Sequence, residues 1–162
     1  MSQKAETELL QHLLTEMVQT EESAREHPRK EAARFVAGDP PAVAMLAVAD
    51  HAERALPALE RLTGPPSRGL GKAIGSTFSA VRDLLGDRLI SREKSYRATL
   101  LGLHHGIDCA LLTQAVAWAC GRTDVVAFCT DWVDQRRPLV SRCQREMTWF
   151  AAHPDLAAQK AG

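Results

Sequence analysis

From Asp87 to His153 the apolar residues keep a helical spacing, and the sharp break between them is the dipeptide Gly121-Arg122. Two long helices joined by so short a turn must fold back on each other as an antiparallel hairpin. The rest of the chain then has to pack against that hairpin. Its first helix is predicted from about Asp87 to Cys120. Its second begins behind Thr123 as N-cap, covers Asp124 to about His153, and stops at Pro154.

Upstream, Leu9, Leu10, Leu13, Leu14, Met17 and Val18 fall at helical spacing behind Ser2, a good N-cap. They predict a first helix to about His27. The polar run QTEESAREHPRKEAAR reads either as the exposed end of a longer helix or as a break near Pro28. In the second case a shorter helix from about Lys30 to Ala37 ends at Gly38. Asp39, Pro40 and Pro41 suit the cap and first turn of another main helix, which runs to about Leu62 with a bend at Pro57. TGPPSRGLG, Thr63 to Gly71, is the clearest break in the chain. A further helix over about Leu70 to Leu85 carries Ile74, Phe78 and Val81, and Gly86-Asp87 either ends it or kinks it into the next. There is no β pattern and no internal repeat. The expected fold is all-α: an antiparallel up-down bundle of four main helices with a short extra helix, in one domain over 1–162. Residues 1–38 are expected to pack less tightly, and 155–162 to form a frayed tail.

Basic and acidic residues balance at 20 each, so charge leaves no footprint for nucleic acid. A chain without net charge also lacks protection against self-association, which favours a homo-oligomer. The most apolar run, Pro40 to Ala49, is too short to span a bilayer and leads into Asp50, His51, Glu53 and Arg54. No signal peptide is visible, so the expected location is the cytoplasm, with no membrane partner. Cys109, Cys120, Cys129 and Cys143 all lie in helical apolar patterns with no CxxC pair, as expected of buried reduced thiols.

Polar chemistry interrupts an apolar run in LGLHHGIDCALL, Leu101 to Leu112. His104 and His105 both lie one turn from Asp108. Glu93, Arg97, His104 and Asp108 form a stripe at spacings of four, seven and four. Equal rise along the hairpin sets Arg97 level with Glu146, and Asp108 within a turn of Arg136. The stripe is therefore expected to be a buried network of Glu93, Arg97, His104, Asp108, Arg136 and Glu146 that fixes helix register. Gly106 would allow close helix approach there. The competing reading is a metal site for iron or another divalent ion, using His104 or His105, Asp108 and a carboxylate from another helix, Glu16 or Glu53.

Other polar groups have plainer readings. Asp50, His51, Glu53 and Glu60 read as a solvated face, as do Glu16, Glu21, Glu22 and Glu26. Tyr96, the single tyrosine, either lines a ligand pocket or is half-buried with its hydroxyl bonded. Trp118, Trp132 and Trp149 are expected to anchor the core, with Trp149-Phe150 alternatively forming a dimer face. No GxGxxG, phosphate-loop, HExxH or Gly-x-Ser-x-Gly motif occurs, and no catalytic residue is assigned.

HAERALPALERL, His51 to Leu62, resembles a stretch of small bacterial stress-associated members of the ferritin-like four-helix bundle superfamily. Members of that superfamily with a di-metal site carry Glu-x-x-His on two helices. This sequence has no Glu-x-x-His. The resemblance thus implies a ferritin-like bundle with a degenerate core and no cofactor. Such a chain would be non-enzymatic, an oligomeric structural or interaction module, with the metal-binding bundle as the alternative.

Overall fold

Four long helices make up most of the chain. The computed structural model describes residues 3–64 and 90–161. Helix α1 spans Gln3–Ala32, α2 Pro40–Thr63, α3 Arg92–Ala119 and α4 Thr123–Arg145. A 3-10 turn, Glu146–Thr148, leads into two short helices, α5 (Trp149–Ala152) and α6 (Pro154–Ala158). The described residues contain no strand, and their single β-type pairing is an isolated bridge between Ser91 and Lys160. No described helix is long and apolar enough to cross a membrane. The helix expected over Leu70 to Leu85, and the break at Gly86-Asp87, lie outside the described residues.

Pro28 does not break α1. It removes one helical hydrogen bond, but it is buried within the helix, as is Ala24 one turn earlier. No separate helix forms over Lys30 to Ala37. The chain turns after Ala32 through amide bonds from Arg34 to Glu31 and from Phe35 to Ala32. That turn delivers Phe35 to an aromatic cluster with Tyr96, Trp149 and Phe150. Gly38, at φ 97°, then supplies the left-handed residue that redirects the chain into α2. Asp39 stands at the N-cap of α2, but its carboxylate accepts the Val36 N–H at 3.0 Å and caps no helix amide. Gly121, at φ 70°, makes the tight turn between α3 and α4. Helix α4 ends at Arg145, short of His153, where the 3-10 turn tightens the backbone.

Helix α1 packs on α2 and α3, and α4 packs on α3 and α2. Gln11 reaches the Thr63 carbonyl at 2.9 Å and Arg29 meets Glu53 at 3.0 Å, so α1 and α2 run in opposite directions. Glu16 with His105, and Glu31 with Ser95, give α1 and α3 the same relation. Gln114 with Thr130, and Tyr96 with the Cys143 carbonyl, do so for α3 and α4. Helices α2 and α3 consequently run the same way, so the four long described helices do not alternate strictly up and down.

The core lies between the four helices. Leu10, Leu14 and Met17 enter from α1, and Met45, Val48 and Leu59 from α2. Leu100, Leu103 and Ile107 enter from α3, and Val125, Cys129, Trp132 and Val140 from α4. Full burial of a side chain such as Leu59 stabilises by about 1.5–3 kcal/mol. Residues 155–161 are tied to the start of α3: Arg92 N–H donates to the Gln159 carbonyl at 2.8 Å, and Ala161 N–H to Ile90 at 2.9 Å.

Candidate functional site

The densest buried polar chemistry sits inside the bundle, on three helices. Arg136 of α4 and Glu21 of α1 are each 1% exposed, and His51 of α2 is 4% exposed. Arg136 Nη2 donates to Glu21 Oε2 at 2.7 Å, and Arg136 Nε donates to His51 Nδ1 at 3.1 Å. Since Nδ1 accepts, the neutral imidazole carries its proton on Nε2. The guanidinium carbon lies 4.7 Å from the Trp132 ring centroid, a cation–π contact. The same indole stands edge-on to His51 with centroids 6.0 Å apart.

Burial governs the charge states here. It pushes the Glu21 carboxyl up and the Arg136 guanidinium down, while each group's charge pulls the other back toward ionisation. Burial, then Arg136, then Arg54, lowers the His51 imidazole to about 4. The histidine is therefore a neutral acceptor at ordinary pH. Trp132 Nε1 is buried with no hydrogen-bond partner at bonding geometry, but it lies close enough to favour the Glu21 carboxylate.

Helix register places these three side chains inside. In α1 the buried positions include Leu10, Leu13, Leu14, Met17, Glu21, Ala24 and Pro28, and Glu21 continues the stripe begun by the leucines. In α2, His51 lies between Val48 and Leu56 on the buried face. In α4, Arg136 falls between Trp132 and Val140, with Cys129 and Cys143 beyond. Neither Glu21 nor His51 lies on a solvated face, contrary to expectation. The available signal was apolar register carried through a polar residue. A second buried cluster lies farther along α1, where Glu31 pairs with Arg34 and accepts the Ser95 hydroxyl.

The clasp expected between α3 and α4 does not assemble. Arg136 spends its donors on Glu21 and His51. Arg97 pairs with Glu93, one turn earlier on its own helix, at 2.9 Å, rather than with Glu146, which is half-buried. His104, His105 and Asp108 are exposed. The reason is rotational: α3 buries Leu100, Leu103, Ile107 and Ala110, which turns those three residues to the other side.

Of the candidate metal ligands, only Glu16 and His105 come together, at 3.2 Å between Oε1 and Nε2. Glu53 pairs with Arg29 instead. Among the described residues no three His, Cys, Asp or Glu side chains converge as a metal group. Gly106 is not needed for close approach, because a Cβ there would meet Thr20 and Trp132 at an ordinary 3.9 Å.

Tyr96 is fully buried rather than half-buried, and its hydroxyl donates to the Cys143 carbonyl at 2.9 Å. It is not among the residues lining the small cleft between α1 and α3, which include Thr20, Ser23, His27, Thr99 and Gly102. Trp132 anchors the core as expected, whereas Trp118 is 75% exposed. Trp149 is half-buried and stacks on His153 with centroids 3.7 Å apart. All four cysteines are free thiols. Burial pushes Cys109 and Cys129 up to about 12 and Cys143 to about 11, so these thiols resist forming thiolates. Cys120 is half-buried.

Comparison of the chain with protein families, curated proteins and solved structures finds no match to any of them.

Proposed function

We propose that the chain is a non-enzymatic helical-bundle protein, an oligomeric structural or interaction module on a ferritin-like core that its own cation closes. The observation that carries this reading is the Arg136 guanidinium bonded to Glu21 and His51 inside the bundle. Ferritin-like bundles have one long crossover connection, and those with a di-metal site draw inward carboxylates and imidazoles from facing helices. The inward carboxylate and imidazole here, Glu21 and His51, already hold a positive group. A resident metal does not fit that donor set: Oε2 and Nδ1 are taken, and Arg136 would repel a second cation. With its polar interior sealed, the molecule keeps its exterior for function, including the exposed apolar residues Val36, Leu46, Leu101, Leu112 and Trp118.

Elemental analysis after incubation with ferrous iron or zinc tests the core. The expected result is no stoichiometric metal. Stoichiometric metal that disappears in Glu21→Gln or His51→Gln would overturn the reading.

A second reading, metal binding outside the core, has the Glu16–His105 contact in its favour. It predicts bound metal that His105→Ala removes and His51→Gln leaves in place.

A further inference from the structure

The outer face of α3 carries a pattern that the buried network does not use. Leu101, His105, Asp108 and Leu112 follow one another at spacings of four, three and four, and all are exposed. On an α-helix that spacing is a single stripe. Leu101 is 61% exposed and Leu112 52%. The series is symmetric about its middle: leucines stand at both outer positions, and a hydrogen-bond-donating imidazole and an accepting carboxylate at the inner two.

A two-fold axis midway between Gly106 and Ile107 converts this symmetry into a contact. A second copy of α3, running antiparallel across it, sets Leu101 against Leu112 and His105 against Asp108, each pair occurring twice. An isologous dimer requires this kind of self-complementary patch. Glu16 of the same chain takes the Nε2 proton of His105 at 3.2 Å, so Nδ1 donates to Asp108 of the second copy as the doubly protonated ring, whose positive charge then complements both carboxylates. At the flank, exposed Arg97 comes within about one turn of exposed Trp118 of the second copy, where a guanidinium can lie over an indole. The formal net charge is zero, so two copies meet without long-range repulsion.

We propose that this face of α3 is the contact between two copies of the chain, packed antiparallel about a two-fold axis. The inference rests on the oligomeric part of the function proposed above and names its surface and symmetry.

Light scattering on size-exclusion fractions tests it. The wild-type chain is expected to be a dimer, and Leu101→Lys and Leu112→Glu are each expected to be monomeric. Both substitutions are at exposed positions, so helical circular dichroism stays at the wild-type value, and the melting temperature falls only by the stabilisation that association supplied. Val36→Lys, at an exposed residue outside α3, stays dimeric. Mixing the Leu101→Lys chain with the Leu112→Glu chain restores a dimer, because the new ammonium faces the new carboxylate only in the antiparallel register. No recovery on mixing overturns the two-fold arrangement. A dimer that survives both substitutions overturns this face and leaves the oligomeric reading standing. A wild-type monomer at every concentration overturns both.

Discussion

Removing one partner of the Arg136–Glu21 pair would strand the other as a buried charge, and the cost of that falls far above the worth of a surface ion pair. Arg136→Met and Glu21→Gln are each expected to lower the unfolding free energy by about 3–5 kcal/mol in urea titrations. The double substitution Glu21→Gln with Arg136→Met should cost far less than the two single losses combined, since it strands no charge and leaves only His51 Nδ1 without its donor. Strict additivity would deny the pair. His51 adds a pH dependence. Its imidazole is held at about 4 in the folded chain, against 6.5 for an ordinary histidine. The unfolded chain therefore takes up a proton as pH falls below about 6.5, while the folded chain follows only near 4. The stability that His51 contributes is full above that window and is lost progressively within it. The gap in unfolding free energy between wild type and His51→Gln should narrow steadily from pH 7 to pH 4.5. Glu21, raised by burial, titrates in the opposite sense but is present in both proteins. A gap that does not change with pH would contradict a neutral buried His51. Tyr96→Phe removes one buried hydrogen bond and should cost about 1 kcal/mol.

Gly106 weakens α3 without easing its packing, because a methyl group there finds ordinary contacts with Thr20 and Trp132. Gly106→Ala should therefore raise stability by up to about 1 kcal/mol, the propensity difference between the two residues. A destabilised variant would show that the helices are closer than these distances allow. Helix α1 makes the complementary point. Pro28 argues locally for a break, yet its burial against the other helices keeps the helix continuous to Ala32. Rotation about the helix axis matters as much as helix length. The equal-rise argument sets Arg97 level with Glu146, but height alone does not say which way a side chain points. Arg97 turns to Glu93 on the exposed surface, where such a pair contributes a few tenths of a kcal/mol.

On the scale of the whole molecule, the chain closes on itself where residues 159–161 meet Ile90, Ser91 and Arg92. Ala161 is 2% exposed. Truncation after Ala158 removes both backbone hydrogen bonds of that contact. Faster amide exchange at Arg92 and a lower melting temperature are the expected outcome, and unchanged exchange at Arg92 would show that the contact does not protect this end of α3.

The sequence by itself determined that the chain is helical, where α2 begins, and where the turn at Gly121 falls. Those features depend on local spacing, proline and glycine, which act within a few residues. It also assigned Cys109, Cys129 and Cys143 to the interior, because they sit in apolar stripes. The partners of the buried charges were decided only by tertiary structure. Glu21 looks like one of several solvated glutamates, and His51 like part of an acidic surface, until the apolar register of each helix is carried through them. LGLHHGIDCALL shows the same division. Its residue types suggested an inward clasp, but α3 buries the Leu100–Leu103–Ile107 face, and that choice turned His104, His105 and Asp108 outward. Which side of a helix is buried depends on the helices that cover it, and residues far apart in the chain supply them.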